Sequence, residues 1–185
     1  MAINTNPSAP LRHLATFNSS GTFLAPASAT IAFVSIHGSS GSGGGSLNVG
    51  RYNIGGVGGS SIIAGAFVQI TPAGNHTVTV GAGGAVASLN AVGTAGGTTS
   101  FDGAISVTGG AGGANSGGRY ATGATGAQGT ASGTTTLTSL SPAGAIIRTG
   151  TISTQNTGIS AGGNGGMGGR YQGTAGAAGQ VHIYV

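Results

Sequence analysis

The sequence predicts an all-β protein: a small, jelly-roll-like β-sandwich core with long glycine-rich loops and no helices. Three observations carry this prediction. Glycine accounts for 42 of the 185 residues, whereas about 7 percent is typical of proteins. Apolar residues gather in short runs, several of which alternate with the period of a strand. No segment repeats its apolar residues at the spacing of an amphipathic helix.

The strand prediction is most specific in four places. Residues 29–37 are apolar on both faces, which indicates the central strand of the core. Residues 76–80 place His76, Val78 and Val80 on one face, and residues 180–185 form a closing strand with the same alternation. Asp102-Gly103 between β-forming residues predicts a tight hairpin. Weaker strand patterns cover residues 13–18, 22–26, 61–70, 135–140 and 145–152.

Length predicts a single domain, residues 1–185. Residues 1–12 read as an extended arm, and the glycine-rich tracts cover about 38–60, 109–136 and 158–180. Within two tracts glycine recurs every third residue, at 123, 126 and 129 and again at 173, 176 and 179. This spacing fits an extended threefold backbone helix of the polyproline-II type. Such a helix has no internal hydrogen bonds, so its amides need neighbouring chains or water.

The composition argues against an enzyme. Asp102 is the only acidic residue and there is no cysteine. Chemistry based on paired carboxylates, zinc sites with cysteine ligands and calcium cages rich in carboxylates therefore lack their residues. We expect no catalytic residues, no cofactor and no metal. The apolar runs are too short to predict insertion into a membrane.

The positive net charge of +4 reflects missing acids more than a basic surface. The five arginines are scattered along the chain and there is no lysine. Because non-specific nucleic-acid binding needs many clustered phosphate contacts, we expect no nucleic-acid partner.

Histidines 13, 37, 76 and 182 are the remaining candidates for metal or acid–base chemistry. All four fall in or beside predicted strands. A three-histidine metal site is one interpretation, and isolated histidines on strands or at their rims is the favoured one. A Ser-His-Asp triad would have to use Asp102, but no serine stands in a nucleophile-elbow motif, and Asp102 is placed to stabilise its turn.

The triplet Gly-Arg-Tyr occurs three times, each time inside a glycine-rich tract. Tyrosine and arginine are enriched at binding hot spots, which favours a contact surface. An equally weighted interpretation is structural, with these side chains packing across bare glycine backbones. The candidate contact residues are Arg51, Tyr52, Arg119, Tyr120, Arg170 and Tyr171.

The order of several motifs resembles the glycine-rich domain of bacteriophage tail fibres and minor tail proteins. The resemblance runs from about residue 17 to residue 185. Its most specific parts are VTVGAGG at 78–84 and GGTTSF at 96–101, in this order. The other matching segments are FNSSGTFLAP at 17–26, the strand and glycine burst at 31–45, ISVTGGAGG at 105–113 and GQVHIYV at 179–185.

The resemblance implies a non-enzymatic structural protein of a phage virion, a minor tail or tail-tip protein assembled in the host cytoplasm. It implies a symmetric oligomer, expected as a homotrimer, with other phage tail proteins as partners. The alternative is a receptor-binding adhesin whose glycine-rich loops contact a receptor or glycan on the host cell surface.

Overall fold

The computed structural model describes residues 11–46, 54–116, 122–133, 135–141, 144–150, 153–155 and 172–185, and in the three ranges between 135 and 155 it describes the main chain alone. Strands and no helices occur in these ranges, which confirms the all-β prediction. The described residues form no helix that is long and apolar enough to cross a membrane. The strands are β1 (His13–Phe17), β2 (Gly21–Leu24), β3 (Ile31–His37), β4 (Ile63–Gln69), β5 (Asn75–Thr79), β6 (Thr99–Phe101), β7 (Ile105–Val107), β8 (Ala131–Ser132), β9 (Thr135–Ser141), β10 (Gly144–Gly150), β11 (Ser153–Gln155) and β12 (Gln180–Tyr184).

The first sheet, sheet A, has the antiparallel order β1-β12-β3-β4-β11. Strand β3 lies at its centre, as the apolar run at 29–37 predicts. One face of β3 is fully buried through Ala32, Val34 and Ile36, whereas Phe33 and the other alternate residues are only partly covered. The partly covered face of sheet A, called the outer face below, points away from the core.

The second sheet, sheet B, has the order β2-β5-β6-β7-β8, and its neighbours are also antiparallel. The predicted Asp-Gly hairpin is confirmed as β6 and β7, with Phe101 opposite Ile105. The inner side chains of both sheets form one hydrophobic cluster. In sheet B these are Phe23, Val78, Phe101, Ile105 and Val107.

The chain section between β8 and β12 adds a two-stranded hairpin. Strands β9 and β10 pair along their whole length, from Ser141–Gly144 at the turn to Thr135–Gly150 at the open end. Strand β11 pairs with β4 at the edge of sheet A. The strand patterns predicted at 135–140 and 145–152 correspond to this hairpin as far as Gly150, and residues 151–152 lie outside the described residues.

Seven segments without strand structure pack together beside the sheets, and we call them the glycine bundle. They are residues 38–46, 54–60, 81–87, 91–97, 108–116, 122–130 and 172–179. Three of the segments follow a strand and four precede one. The ends of the segments next to strands form the sheet end of the bundle, and their opposite ends form what we call the distal end. The glycine tracts are therefore packed parts of the fold rather than separate excursions, to the extent that the described ranges cover them.

Segment 38–46 lies at the centre of the bundle, and each of its residues is buried. Its successive amides point to three different neighbours in rotation, so that every third amide donates to the same neighbour. Gly41 and Gly44 donate to Gly59 and Gly56, at 3.0 and 2.8 Å. Ser42 and Gly45 donate to Thr94 and Ala91, and Ser40 and Gly43 donate to Ala177 and Thr174.

Candidate functional site: the distal end of the glycine bundle

Glycine is required in the bundle because main chains approach each other too closely for side chains. A Cβ atom added at Gly41 would overlap the carbonyl oxygen of Ala111, and one at Gly44 would overlap that of Ala114. The same holds in the returning segments, where a Cβ atom at Gly58 would overlap the Gly41 carbonyl. The bundle is held by main-chain hydrogen bonds between segments, which glycine alone leaves accessible at this spacing.

Buried serines fix the alignment of the central segment with its neighbours. Ser40 exchanges two hydrogen bonds with Ala177: its amide donates to the Ala177 carbonyl at 2.9 Å, and its Oγ accepts from the Ala177 amide at 2.7 Å. Ser42 Oγ accepts from the Thr94 amide at 2.8 Å. Ser39 Oγ donates to the Gly97 carbonyl at 2.6 Å. Among the described residues each of these hydroxyls bonds to a single residue of a neighbouring segment, so the serines select one register among the equivalent glycine repeats.

The turn between segments 81–87 and 91–97 is the best described part of the distal end. The Ala91 amide donates to the Ser88 carbonyl, and Asn90 adopts a positive φ of 57°. The Asn115 side-chain amide donates to both the main-chain oxygen and Oδ1 of Asn90, at 3.0 and 3.1 Å. Around this braced turn three apolar side chains are exposed: Val86 by 50%, Leu89 by 46% and Val92 by 58%.

The six predicted contact residues of the Gly-Arg-Tyr triplets lie outside the described residues. The structure does describe residues that flank the triplets, and these lie at the distal end of the bundle. Ser46 and Ile54 flank the first triplet, Ser116 and Thr122 flank the second, and Gln172 follows the third. Hydrogen bonds join this end of the bundle directly, from Ser116 to the Gly45 carbonyl and from Gly123 to the Ile54 carbonyl.

His76 and Asp102 form the only ion pair among the described residues, and they form it inside sheet B. His76 is buried and stacks on Phe101 with ring centroids 5.6 Å apart. Its Nε2 accepts from the Thr71 amide at 3.2 Å, so no hydroxyl nucleophile stands at that nitrogen. Asp102 does more than stabilise its own turn, because both of its oxygens bind groups of β5.

Histidines 13, 37 and 182 meet on the outer face of sheet A, so the interpretation as isolated histidines is wrong for these three. The rings of His37 and His182 are 4.9 Å apart, and those of His13 and His182 are 6.2 Å apart. Burial lowers the pKa of both His37 and His182, and each also has a neighbouring histidine that lowers its pKa further. No group of three metal-ligating side chains with the geometry to hold an ion occurs in the described ranges.

A bulge in β1 assembles this histidine cluster. His13 and Thr16 are three positions apart, which would place them on opposite faces of a regular strand. The register of β1 shifts between His13 and Ala15, so His13 lies opposite Tyr184 and Thr16 lies opposite His182. Thr16 Oγ1 then joins His13 Nε2 and His182 Nδ1, each at 3.0 Å. Sequence alternation alone could not reveal this arrangement.

Comparison with models of known protein families finds no match to this chain, and comparison with curated proteins finds none either.

Proposed function

We propose that the protein is a non-enzymatic structural component of a phage virion, assembled at the tail tip, and that the distal end of its glycine bundle contacts the host cell surface. The resemblance of the 78–84 and 96–101 motifs to phage tail proteins supports the virion setting. One observation carries the contact role: the described residues flanking all three Gly-Arg-Tyr triplets lie at the same end of the bundle.

The architecture that fits this role is a jelly-roll-like β-sandwich carrying a set of polyglycine-II-type helices. The two sheets sharing one core support the sandwich. The rotation of amide directions in segment 38–46, with a return to the same neighbour at every third residue, supports threefold helices. In this architecture the sheets attach the protein to its particle and the bundle holds the distal end at a distance from them.

A braced bundle is suited to presenting contact residues. Ordering a flexible loop on binding costs conformational entropy, and a rigid support reduces that cost. Tyrosine supplies a large contact area with few rotatable bonds, and arginine supplies donors for carbonyl or hydroxyl oxygens. We therefore propose Arg51, Tyr52, Arg119, Tyr120, Arg170 and Tyr171 as contact residues, and a surface protein or glycan of the host as their partner.

The second candidate function is assembly alone, in which the triplets contact other subunits or other tail proteins. We keep the homotrimer as part of the proposal. Unpaired glycine amides would favour association between chains, because those amides need hydrogen-bond partners. In the described bundle those amides bond within one chain, so the trimer now rests on the resemblance.

Replacement of Tyr52, Tyr120 and Tyr171 together by alanine tests the proposal. Adsorption of particles carrying the variant to host cells should fall by more than tenfold, since three lost anchors at about 1–2 kcal/mol each exceed that factor. The melting temperature of the isolated variant should stay near that of the parent. Leu24→Ala is the matched control, because Leu24 is 66% exposed on β2, away from the distal end.

The outcomes separate the two functions. Normal incorporation into particles with weak adsorption supports host contact. Loss of incorporation with an unchanged melting temperature supports assembly alone and rejects host contact. Normal incorporation and normal adsorption would mean that the tyrosines are spacers and would reject both roles for them.

A further inference from the structure

The histidine cluster of sheet A, made of His13, His37 and His182, brings three titratable side chains together on adjacent strands. His182 lies between the other two, with ring centroids 4.9 Å from His37 and 6.2 Å from His13. Its Nδ1 shares the hydroxyl of Thr16 with Nε2 of His13. Protonation of the cluster would therefore place two or three positive charges next to one another.

No acidic side chain lies beside the cluster to balance such cations. The one acidic side chain of the protein, Asp102, is paired with His76 in sheet B. Arg12, just before β1, brings a cation beside His13 in the chain. Strand β12 brings the phenol of Tyr184, whose ring is 5.1 Å from that of His13. The β4 residues on this face are Ile63, Gly65, Phe67 and Gln69, none of which is ionisable. Val185 bonds to the main chain of Arg12 and forms no ion pair in the described ranges.

Strand β1 has fewer attachments than β3, β4 or β12. It lies at the edge of sheet A, and β12 is its one strand neighbour among the described residues. Three of its five residues are exposed, and only Ala15 and Phe17 pack against the core. The bulge at Leu14 interrupts its pairing. The side-chain hydrogen bond that joins β1 to β12 on the outer face ends on His182, and the ring of His13 contacts those of His182 and Tyr184.

We propose that the histidine cluster is an acid-sensitive latch, and that its protonation releases β1 from sheet A. Two of the three histidines are desolvated by burial, which lowers the pKa of His37 and of His182 below the ordinary value of 6.5. When β1 leaves, His182 loses its contacts with Thr16 and His13, so its pKa rises toward 6.5 and the released state binds more protons. Release is therefore favoured as the pH falls below about 6.5 and is suppressed above it. The latch does not depend on the function of the distal end.

Hydrogen exchange at pH 7.5 and pH 5.0, corrected for the intrinsic pH dependence of exchange, tests the latch. Amides of residues 11–17 should exchange at least tenfold faster at pH 5.0. Amides of β3 and β4 should keep their protection, since they pair with each other along seven residues. The double variant His37→Gln, His182→Gln removes both desolvated titratable groups, and in it the pH effect on β1 should fall to less than threefold.

Thr16→Val is the second variant, because it removes the hydroxyl bridge without changing the charge of the cluster. It should loosen β1 at both pH values and preserve the ratio between them. An unchanged rate for residues 11–17 in the parent would overturn the proposal. So would equal loss of protection in β3 and β4, which would indicate global unfolding, or a full pH effect in the double variant. If the double variant does not fold, Thr16→Val provides the test. Because this variant keeps all three histidines, loss of the pH effect on residues 11–17 in it would reject the histidine cluster as the source of that effect.

Discussion

His76 Nδ1 donates its proton to Oδ2 of Asp102, whose other oxygen accepts the Thr77 amide at 2.7 Å. The Thr71 amide donates to Nε2 of the same ring, which places the imidazole proton on Nδ1. One carboxylate thereby connects the turn before β5, β5 itself and the β6–β7 hairpin. Asp102 also adopts a positive φ of 49°. This single acidic residue therefore has both a conformational and a hydrogen-bonding role.

Replacement of Asp102 by alanine should lower the free energy of unfolding by about 2–3 kcal/mol. The change leaves the buried Nδ1 proton of His76 and the Thr77 amide without acceptors. It also places alanine, which has no polar side chain to stabilise the turn, at a positive φ. Chemical denaturation followed by fluorescence or circular dichroism measures the effect. Asp102→Asn is the control: it tolerates the positive φ and keeps one acceptor, so it should lose about half as much. Equal losses would show that the negative charge, rather than the geometry, is what matters.

Gly41→Ala should destabilise the protein by about 3 kcal/mol or more, because its Cβ atom would overlap the main-chain carbonyl of Ala111 in a fully packed region. For a chain of this length the melting temperature should fall by roughly 10 °C. Gly21→Ala is the matched control, since a Cβ atom there would contact only the Phe17 ring, at 3.4 Å. A melting temperature for Gly41→Ala within a degree of that control would contradict the packing of segment 38–46 against 108–116.

Ser40→Ala should lower the free energy of unfolding by about 1 kcal/mol, since the Ala177 amide would lose the hydroxyl of the buried Ser40 as its acceptor while the main-chain bond from Ser40 to Ala177 remained. Thermal unfolding measures the loss. Ser106→Ala removes an exposed hydroxyl that pairs with Ser132 Oγ at 2.9 Å, and it should change the stability by less than about 0.5 kcal/mol. Equal effects of the two substitutions would mean that Ser40 does not fix the register of the bundle.

Light scattering of the purified protein should give the mass of three chains, as the proposed homotrimer requires. A mass near 17.2 kDa at micromolar concentration would reject a stable free trimer. Formation of a trimer only within the particle would then have to be tested by crosslinking of intact particles, where absence of a trimer band would remove this part of the proposal.

The sequence predicts the strands well where burial imposes a period of two. Strands β5 and β12 bury alternate residues as their patterns indicate, and the Asp-Gly turn forms the predicted hairpin. Strand β3 is central as predicted, although one of its two apolar faces is only partly covered. In these elements a shift of one residue would expose the apolar set, so the pattern carries the register.

The hydrophobic pattern of the sequence does not predict which segments of the glycine tracts pack against each other. Glycine has no side chain to record which neighbour it faces, so the three-residue spacing indicates a helix type but not its partners. The partners are selected by a few hydroxyls such as Ser40 and Ser42. The histidine cluster was missed for another reason: the bulge at Leu14 reverses the expected side of Thr16, and no residue type there marks the bulge.

The bundle also has a mechanical consequence. Its segments run between the sheet end and the distal end, and their hydrogen bonds lie across that direction, from Gly41 and Gly44 to one neighbour and from Ser42 and Gly45 to another. A pull applied between the two ends would load these bonds in shear, many at once, rather than break them one after another. We expect the bundle to transmit tension with little extension, as a stiff rod does, and to yield abruptly when its segments slide by one repeat.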